Sequence, residues 1–549
     1  MSWHSEVPAF LAVLFLAGAV IHRHWKQKIH HLRFPIAGLM LALMIVVVLF
    51  QTAVGLIPFF GDGLIVLLYL SLSLMAIAIG FDVVNWARPK TDSFFTYSAI
   101  EYLACCFLVA AVCSVLLCFA QSFDVWPTAG WIVHPPSLRR PGANLGQPNQ
   151  LATLLLMSIA SLAYLFESKK CSKSFAASVL ALLVFGLALT ESRSGLLSFL
   201  LLVFWWFARR RSAEFSATPV VALSVGVGLL ALLLAWPPFF AGVQEGGWTG
   251  GIYDTQLNVS AGTRLVVWPQ LIEAVLQRPW FGWGLREVST AHNAVLSSYA
   301  SGEPFTYAHN IVLDLAVGMG LPLTIALVGI VLVWAWRRLH KCATLLPWYC
   351  IALILPMGVH SMLEFPFAYA YLLAPVMFAI GVLERISFPT RVILVPSWVA
   401  LSGLLLVGFT MTLSVIEYMK IEEDFRIARF EALRIGKTPA DYQRPQVHLL
   451  TQLDALLEGS RVVPSPGMSL ERIELSRKVA MRFPWTAVQN RYALSLALNG
   501  HRAEAIRQLK VMRAMHGEKM FEGIVSNWNE LGDSKYPELK EVVDQASRR

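Results

Sequence analysis

Up to residue 416 the chain alternates long apolar runs with short polar or basic breaks. A helix crossing a hydrocarbon core needs about 17–25 apolar residues, and about twelve runs approach or meet that measure. They lie near residues 7–22, 34–54, 63–81, 99–121, 150–166, 174–190, 195–208, 218–236, 311–336, 344–361, 367–384 and 391–416. The expected fold is therefore all-α: a polytopic membrane protein of about twelve transmembrane helices, because only a helix satisfies its own backbone inside lipid. The longest interruption is residues 237–310, which opens on PPFFAGVQEGGWTGG and closes on FTYAHN. After Ile416 the chain turns charged and helical in period, punctuated by Pro439, Pro445, Pro464 and Pro466. There RYALSLALNGHRAEAIRQLKVM places Tyr492, Ala493, Leu496, Gly500, Ala503, Ala505, Ile506 and Leu509 as one tetratricopeptide unit does. A plain amphipathic hairpin gives the same pattern. Four regions follow: N-terminal membrane helices 1–236, a large loop 237–310, C-terminal membrane helices 311–416 and a helical domain 417–549.

Composition changes this picture little. With 56% hydrophobic and 14% charged residues, a water-soluble globular chain is excluded. The net charge of +9 raises nucleic acid as a partner, but the positive residues fall in blocks between apolar runs, so no nucleic acid is expected. Those blocks are Arg23, Lys26, Lys28 and Arg33; Arg88 and Lys90; Lys169, Lys170 and Lys173; Arg209 to Arg211; Arg337, Arg338 and Lys341; and Arg385 and Arg391. Each follows an odd-numbered run, so all can face the cytoplasm together. The loop 237–310 and the C-terminal domain then face outward, away from the cytoplasm. The first run lacks a basic leader and a clear cleavage site, and reads as a retained anchor. The seven cysteines lie in or beside apolar runs and form neither a disulfide framework nor a C-x-x-C metal spacing.

Arginines on the outer side gain nothing from the orientation rule and need another reason. Arg139, Arg140, Arg193, Arg264, Arg278 and Arg286 are all there, with His134, Asn144, Gln147, Asn149, His309, His360 and Glu364. An arginine-rich, carboxylate-poor face suits phosphate oxygens, which the guanidinium fork matches, and a membrane-borne polyprenyl diphosphate is the natural ligand. Arg193, in TESRSG, either meets that anion or caps its helix and pairs with Glu191. Arg264 opens an amphipathic stretch broken by Pro269 and Pro279, with Trp268, Trp280 and Trp283 as interfacial anchors; an ordinary interfacial arginine is the alternative. His309 is a candidate proton acceptor or a helix-entry cap. His360 and Glu364, one turn apart, can pair with each other or with a ligand. No HExxH, DxD, P-loop or G-x-G-x-x-G pattern is present, so neither a metal nor a nucleotide cofactor is expected.

Taken in order, RRPGANLGQPNQLATLL, LTESRSG, GTRLVVWPQLIEAVLQRPWFGWG, AHNIVLDLAVGMGLP and HSMLEFPFAYAYLL resemble the bacterial O-linked oligosaccharyltransferases of the PglL type. These belong to the group that includes O-antigen ligases and polymerases, and the likeness runs over roughly residues 130–385. The resemblance implies metal-independent transfer of a preassembled glycan from undecaprenyl diphosphate to a serine or threonine hydroxyl of a periplasmic protein such as a type IV pilin. It implies His309 as the base and Arg193 and Arg264 as diphosphate ligands. Gln147 of the Q-P-N motif and Tyr369 are implied as further functional positions, with Tyr371 on the same stretch as Tyr369, and Asn149, His360 and Glu364 stand beside them as candidate substrate-binding positions. Ligation or polymerisation of lipopolysaccharide glycans is the alternative. A lipid-linked glycan transporter is a third reading, but it predicts polar residues along a whole path through the bilayer.

Overall fold

The computed structural model describes residues 3–84, 98–125, 132–134, 139–245, 261–296, 300–387, 391–433 and 435–548. Arg88 and Lys90, of the second basic block, lie outside the described residues.

The apolar runs fold as helices: α1 (Trp3–Lys26), α2 (Leu39–Ala53), α3 (Phe60–Val83), α4 (Ala99–Ser122), α5 (Pro148–Glu167), α6 (Lys173–Leu189), α7 (Arg193–Arg209) and α8 (Pro219–Glu245). The long loop contributes α9 (Ala261–Gln277) and α10 (Val288–Val295). There follow α11 (Ile311–Met319), α12 (Leu321–His340), α13 (Leu345–Ser361), α14 (Ala370–Ser387) and α15 (Ser397–Leu433). The C-terminal helices are α16 (Thr451–Arg461), α17 (Leu470–Arg482), α18 (Thr486–Leu498), α19 (Arg502–His516), α20 (Glu518–Ser534) and α21 (Glu538–Ser547). Among the described residues, eight helices are long and apolar enough to cross a membrane, and α6 and α13 are shorter apolar helices. The all-α polytopic architecture is as expected.

Two runs differ from the sequence reading. Residues 311–336 do not form one helix: Gly320, at φ +82°, separates α11 from α12, and a Cβ there would lie 2.5 Å from the Trp280 carbonyl oxygen. The run 391–416 does not begin as helix either. Val392–Pro396 (β2) pairs antiparallel with His31–Pro35 (β1), with Arg33 opposite Leu394, and α15 starts only at Ser397.

The chain packs as two compact units, one of residues 1–39, 72–258 and 331–404, the other of residues 40–71, 259–330 and 405–549. In the first unit α5 is central, with 72% of its apolar window buried against 11% for α8. Its serines act as polar ties: Ser158 donates to Phe107 O at 3.0 Å, and Ser161 pairs with the buried Tyr349 hydroxyl at 2.9 Å. Arg338, counted above as a cytoplasmic charge, is instead buried, its Nε 2.9 Å from Glu384 Oε1. Helices α3 and α14 cross through reciprocal glycines. A Cβ on Gly80 would lie 2.1 Å from Phe378 O, and one on Gly381 would lie 2.1 Å from Ile77 O. Gly80→Ala should therefore destabilise the protein by about 1–3 kcal/mol through overpacking, read as a lower melting temperature of the purified protein in detergent. Unchanged melting would mean that the backbones are not in contact.

In the second unit the C-terminal helices close on a core of Leu456, Val479, Tyr492, Ala493, Leu509, Met512, Phe521 and Trp528. Most of the repeat-like positions read from the sequence point inward, although Ala503 is exposed. The long loop has a core of its own. Val267, Leu271 and Ala274 of α9 pack with Trp283, Val288, Ala291, Phe305 and Val317. The opposite face of α9 leaves Leu265, Ile272 and Leu276 exposed, as suits a helix lying at a membrane surface.

Candidate functional site

Two motifs of the first unit form one structure. Gln147 is the N-cap of α5, and Pro148 takes the first helical position, where its missing N–H costs nothing. Asn149 therefore sits in the first turn, and its Oδ1 accepts from Ser192 Oγ at 2.7 Å. Ser192 in turn caps α7, accepting from Gly195 N at 2.9 Å. The two helix starts come this close because residue 195 is glycine: a Cβ there would lie 2.7 Å from Ala152 Cβ.

Arg193 is the exposed first residue of α7. A cation is disfavoured at a helix N-terminus, so a guanidinium added to that positive end makes a place suited to an anion. Glu191, the neighbour the sequence offers as a partner, is taken from 52 residues away: Arg139 donates to its two oxygens from Nε and Nη2, each at 2.7 Å. Arg140 donates from Nε to Thr190 O at 3.2 Å. Burial, opposed by Glu191 and reinforced by Arg139 and Arg193, holds its pKa below the usual arginine range. Arg139 and Arg140 thus both interact with Glu191, and Arg193 lies close enough to Arg140 to repel it.

His360 is buried at the end of α13, and its Nδ1 lies 2.8 Å from Thr153 Oγ1. Thr153 also donates to Asn149 O at 3.1 Å, which ties His360 to the Q-P-N turn. Glu364, also buried, donates its backbone N–H to His360 O at 2.8 Å. Tyr369 ends the tight turn Pro366–Ala368, its ring stacked on Phe365 at 6.2 Å between centroids. Tyr371 donates its hydroxyl to Gln150 Oε1 and so ties α14 to α5.

His309 and Arg264 belong to the second unit. The tripeptide Ala-His-Asn occurs twice in this region, at residues 291–293 and 308–310, and the structure separates the copies. His292 is buried within α10, its Nε2 2.9 Å from Gln270 Oε1, and burial lowers its pKa to about 4. His309 stands just before α11 in the left-handed region, at φ +54°. Its neighbours hold it there. Ala308 N donates to Asp314 Oδ1 at 3.1 Å, Ala308 O accepts from Trp268 Nε1 at 2.9 Å, and Asn310 Oδ1 caps α11 through Val312 N and Leu313 N. Trp268 is thus an internal tie as well as an amphipathic residue. Arg264 lies four residues before it on α9, on the same helix face.

Behind Tyr307 runs a buried charge network. Arg286, itself at φ +75°, donates from Nη1 to the Tyr307 hydroxyl at 2.6 Å, and its Nε lies 3.7 Å from Asp62. Asp62 accepts a two-bond fork from Arg482 of α17, both contacts at 2.7 Å. Beside them, burial raises the Glu287 carboxyl to about 7. Arg278 is held over the Trp283 ring at 4.0 Å, and Trp283 Nε1 donates to Ala274 O, so neither is a simple interfacial anchor; Trp280 remains exposed.

The first unit therefore links Gln147, Asn149, Arg193 and His360 around the start of α5, with Glu364 and Tyr369 in the turn after α13. The second links His309 to the α9 face that carries Arg264. The sequence reading did not single out Asp62, Asp314, Tyr307 or Arg482. A signal existed for the first two: each is a lone carboxylate within or at the start of an apolar run, where ionisable residues are costly.

Residues 141–166 match the family described as Protein glycosylation ligase, residues 178–328 the family described as O-Antigen ligase, and residues 348–528 the family described as Virulence factor membrane-bound polymerase, C-terminal. A General O-oligosaccharyltransferase of Acinetobacter baylyi is 26% identical over 525 residues, covering 94% of this chain and 88% of the relative. A ComP-specific O-oligosaccharyltransferase of the same organism is 27% identical over 346 residues, covering 62% of this chain and 59% of the relative. In its motifs, its family matches and its relatives, the chain is similar to the bacterial O-oligosaccharyltransferases of the O-antigen ligase group.

Proposed function

We propose that this protein sits in the bacterial inner membrane with its reactive groups in the periplasm. There it transfers a preassembled glycan from undecaprenyl diphosphate to a serine or threonine of a pilin-like protein. The hydroxyl oxygen attacks the anomeric carbon, the bond from that carbon to the diphosphate oxygen breaks, and His309 takes the hydroxyl proton. A positioned base contributes about 10²–10⁴ in rate, because the hydroxyl is a poor nucleophile until it loses its proton. Arg193 and Arg264 hold the diphosphate and meet the charge that grows as it leaves. Single displacement inverts the anomeric centre. Gln147, Asn149, His360, Glu364 and Tyr369 shape the substrate site. Asp314 lies near His309 and Arg286, and by accepting from Ala308 N it keeps the histidine turn in place.

The observation that carries this reading is the hold on His309, a left-handed residue fixed through both backbone polar groups of Ala308. The relatives named for O-oligosaccharyl transfer support a protein acceptor, and the ComP-specific one supports an acceptor of the pilin kind. The test is reconstitution of the purified protein in liposomes with lipid-linked glycan and a pilin, read by intact mass. The expected product gains one glycan on a serine or threonine, with inverted linkage. Arg193→Gln should raise the apparent KM for the donor about 10- to 100-fold, the loss of one or two charge-assisted hydrogen bonds. A retained linkage would rule out the single displacement. Transfer to lipid A core sugar or to a growing glycan in place of the pilin would give the acceptor role to ligation or polymerisation, which two of the matched families are named for.

A further inference from the structure

The first unit holds another basic cavity, at the far end of α14 from Tyr369 and Tyr371. The 18 residues of α14 put about 27 Å between its two ends. The cavity measures about 410 Å³, within the roughly 300–1,000 Å³ of small-ligand sites. Three arginines line it: Arg23 from the end of α1, Arg33 from β1 and Arg385 from α14. The orientation rule asks only that such residues lie on one side of the membrane, and does not ask them to converge. Here local structure converges them. Alternation along β1 puts His31 and Arg33 on one face of the ribbon, and pairing with β2 fixes that face. The Arg385 guanidinium is held 5.3 Å from the Phe81 ring centroid, against the wall.

Among the described residues that line it, the one carboxylate is Asp82, engaged by His24, whose Nε2 lies 2.7 Å from Asp82 Oδ1. His24 is only 8% exposed, and its Nδ1 has no hydrogen-bond partner among the described residues. The described lining thus carries three guanidinium groups to one carboxylate, a positive balance that suits an anion, and guanidinium groups favour phosphate oxygens. The surroundings fix the depth. Trp25 and Trp398 beside the ribbon are 72% and 71% exposed, and tryptophan concentrates at the headgroup layer of a bilayer.

We propose that this cavity binds a phosphate group, brought by the headgroup of an anionic phospholipid from the adjoining leaflet. The test uses the full-length protein in nanodiscs made with phosphatidylglycerol or with phosphatidylcholine, followed by native mass spectrometry of retained lipid. The wild type should retain phosphatidylglycerol about tenfold in preference to phosphatidylcholine. The double variant Arg33→Gln, Arg385→Gln should lose that preference, and Arg337→Gln, an exposed arginine of another basic block, should keep it. A parallel arm titrates inorganic phosphate against the wild type in detergent by thermal unfolding. Stabilisation by phosphate, with no preference between the lipids, would keep the anion site and overturn the lipid as its source. No preference and no phosphate effect would overturn the site altogether. Both arms stand on the wild type alone should the double variant fail to fold.

Discussion

His309→Asn should insert and fold at least as well as the wild type, yet transfer glycan about 10²–10⁴-fold more slowly. The two halves of this result have separate causes. At φ +54° a histidine carries backbone strain, which asparagine tolerates better in the left-handed region. The ties on Ala308 and the Asn310 cap do not use the imidazole, so the turn survives. What is lost is the nitrogen that accepts the hydroxyl proton. Single-turnover transfer alongside thermal unfolding separates the two, and near-normal transfer would remove His309 from the base role. The same substitution at His292 should lower stability, because that ring is buried and hydrogen-bonded to Gln270.

Arg482→Met should destabilise the protein by about 3–5 kcal/mol, the cost of stripping the partner from a buried charge. Asp62 is fully buried and accepts both bonds of its fork from Arg482. Without that fork, Arg286 at 3.7 Å becomes the next cation for Asp62 and is drawn from the Tyr307 hydroxyl. Tyr307 is two residues from His309, so transfer should fall together with stability. Asp62→Asn combined with Arg482→Met should recover much of the loss, since removing both charges costs far less than stranding one. The cycle is read by thermal unfolding in detergent. Strict additivity would mean that the pair does not hold the C-terminal helices to the start of α3.

Where the sequence was legible, the signal was local. Apolar runs announce helices because lipid allows little else, and Q-P-N, S-R-S-G and the A-H-N at residues 308–310 stand at helix starts, where proline, serine and asparagine are favoured. What stayed hidden depends on partners distant in sequence. Glu191 lies two residues from Arg193 yet pairs with Arg139. Trp268 carries the amphipathic signature of an interfacial anchor, and only the fold brings its indole N–H to Ala308, 40 residues on. The tripeptides around His292 and His309 are identical, and only the fold tells them apart, by burying one within a helix and holding the other in the left-handed region before one. The strand VILVP is as apolar as the helix it precedes, and periodicity cannot separate a short apolar strand from a helix start.

The β1–β2 ribbon also constrains the order of assembly. His31–Pro35 leaves the ribosome early, but its partner Val392–Pro396 comes only after most of the membrane helices have been made. Through that interval β1 presents an open row of donors and acceptors that other chains can join, and closing so distant a pair is slow. The basic cavity beside the ribbon is therefore completed only once α14 and β2 have been made.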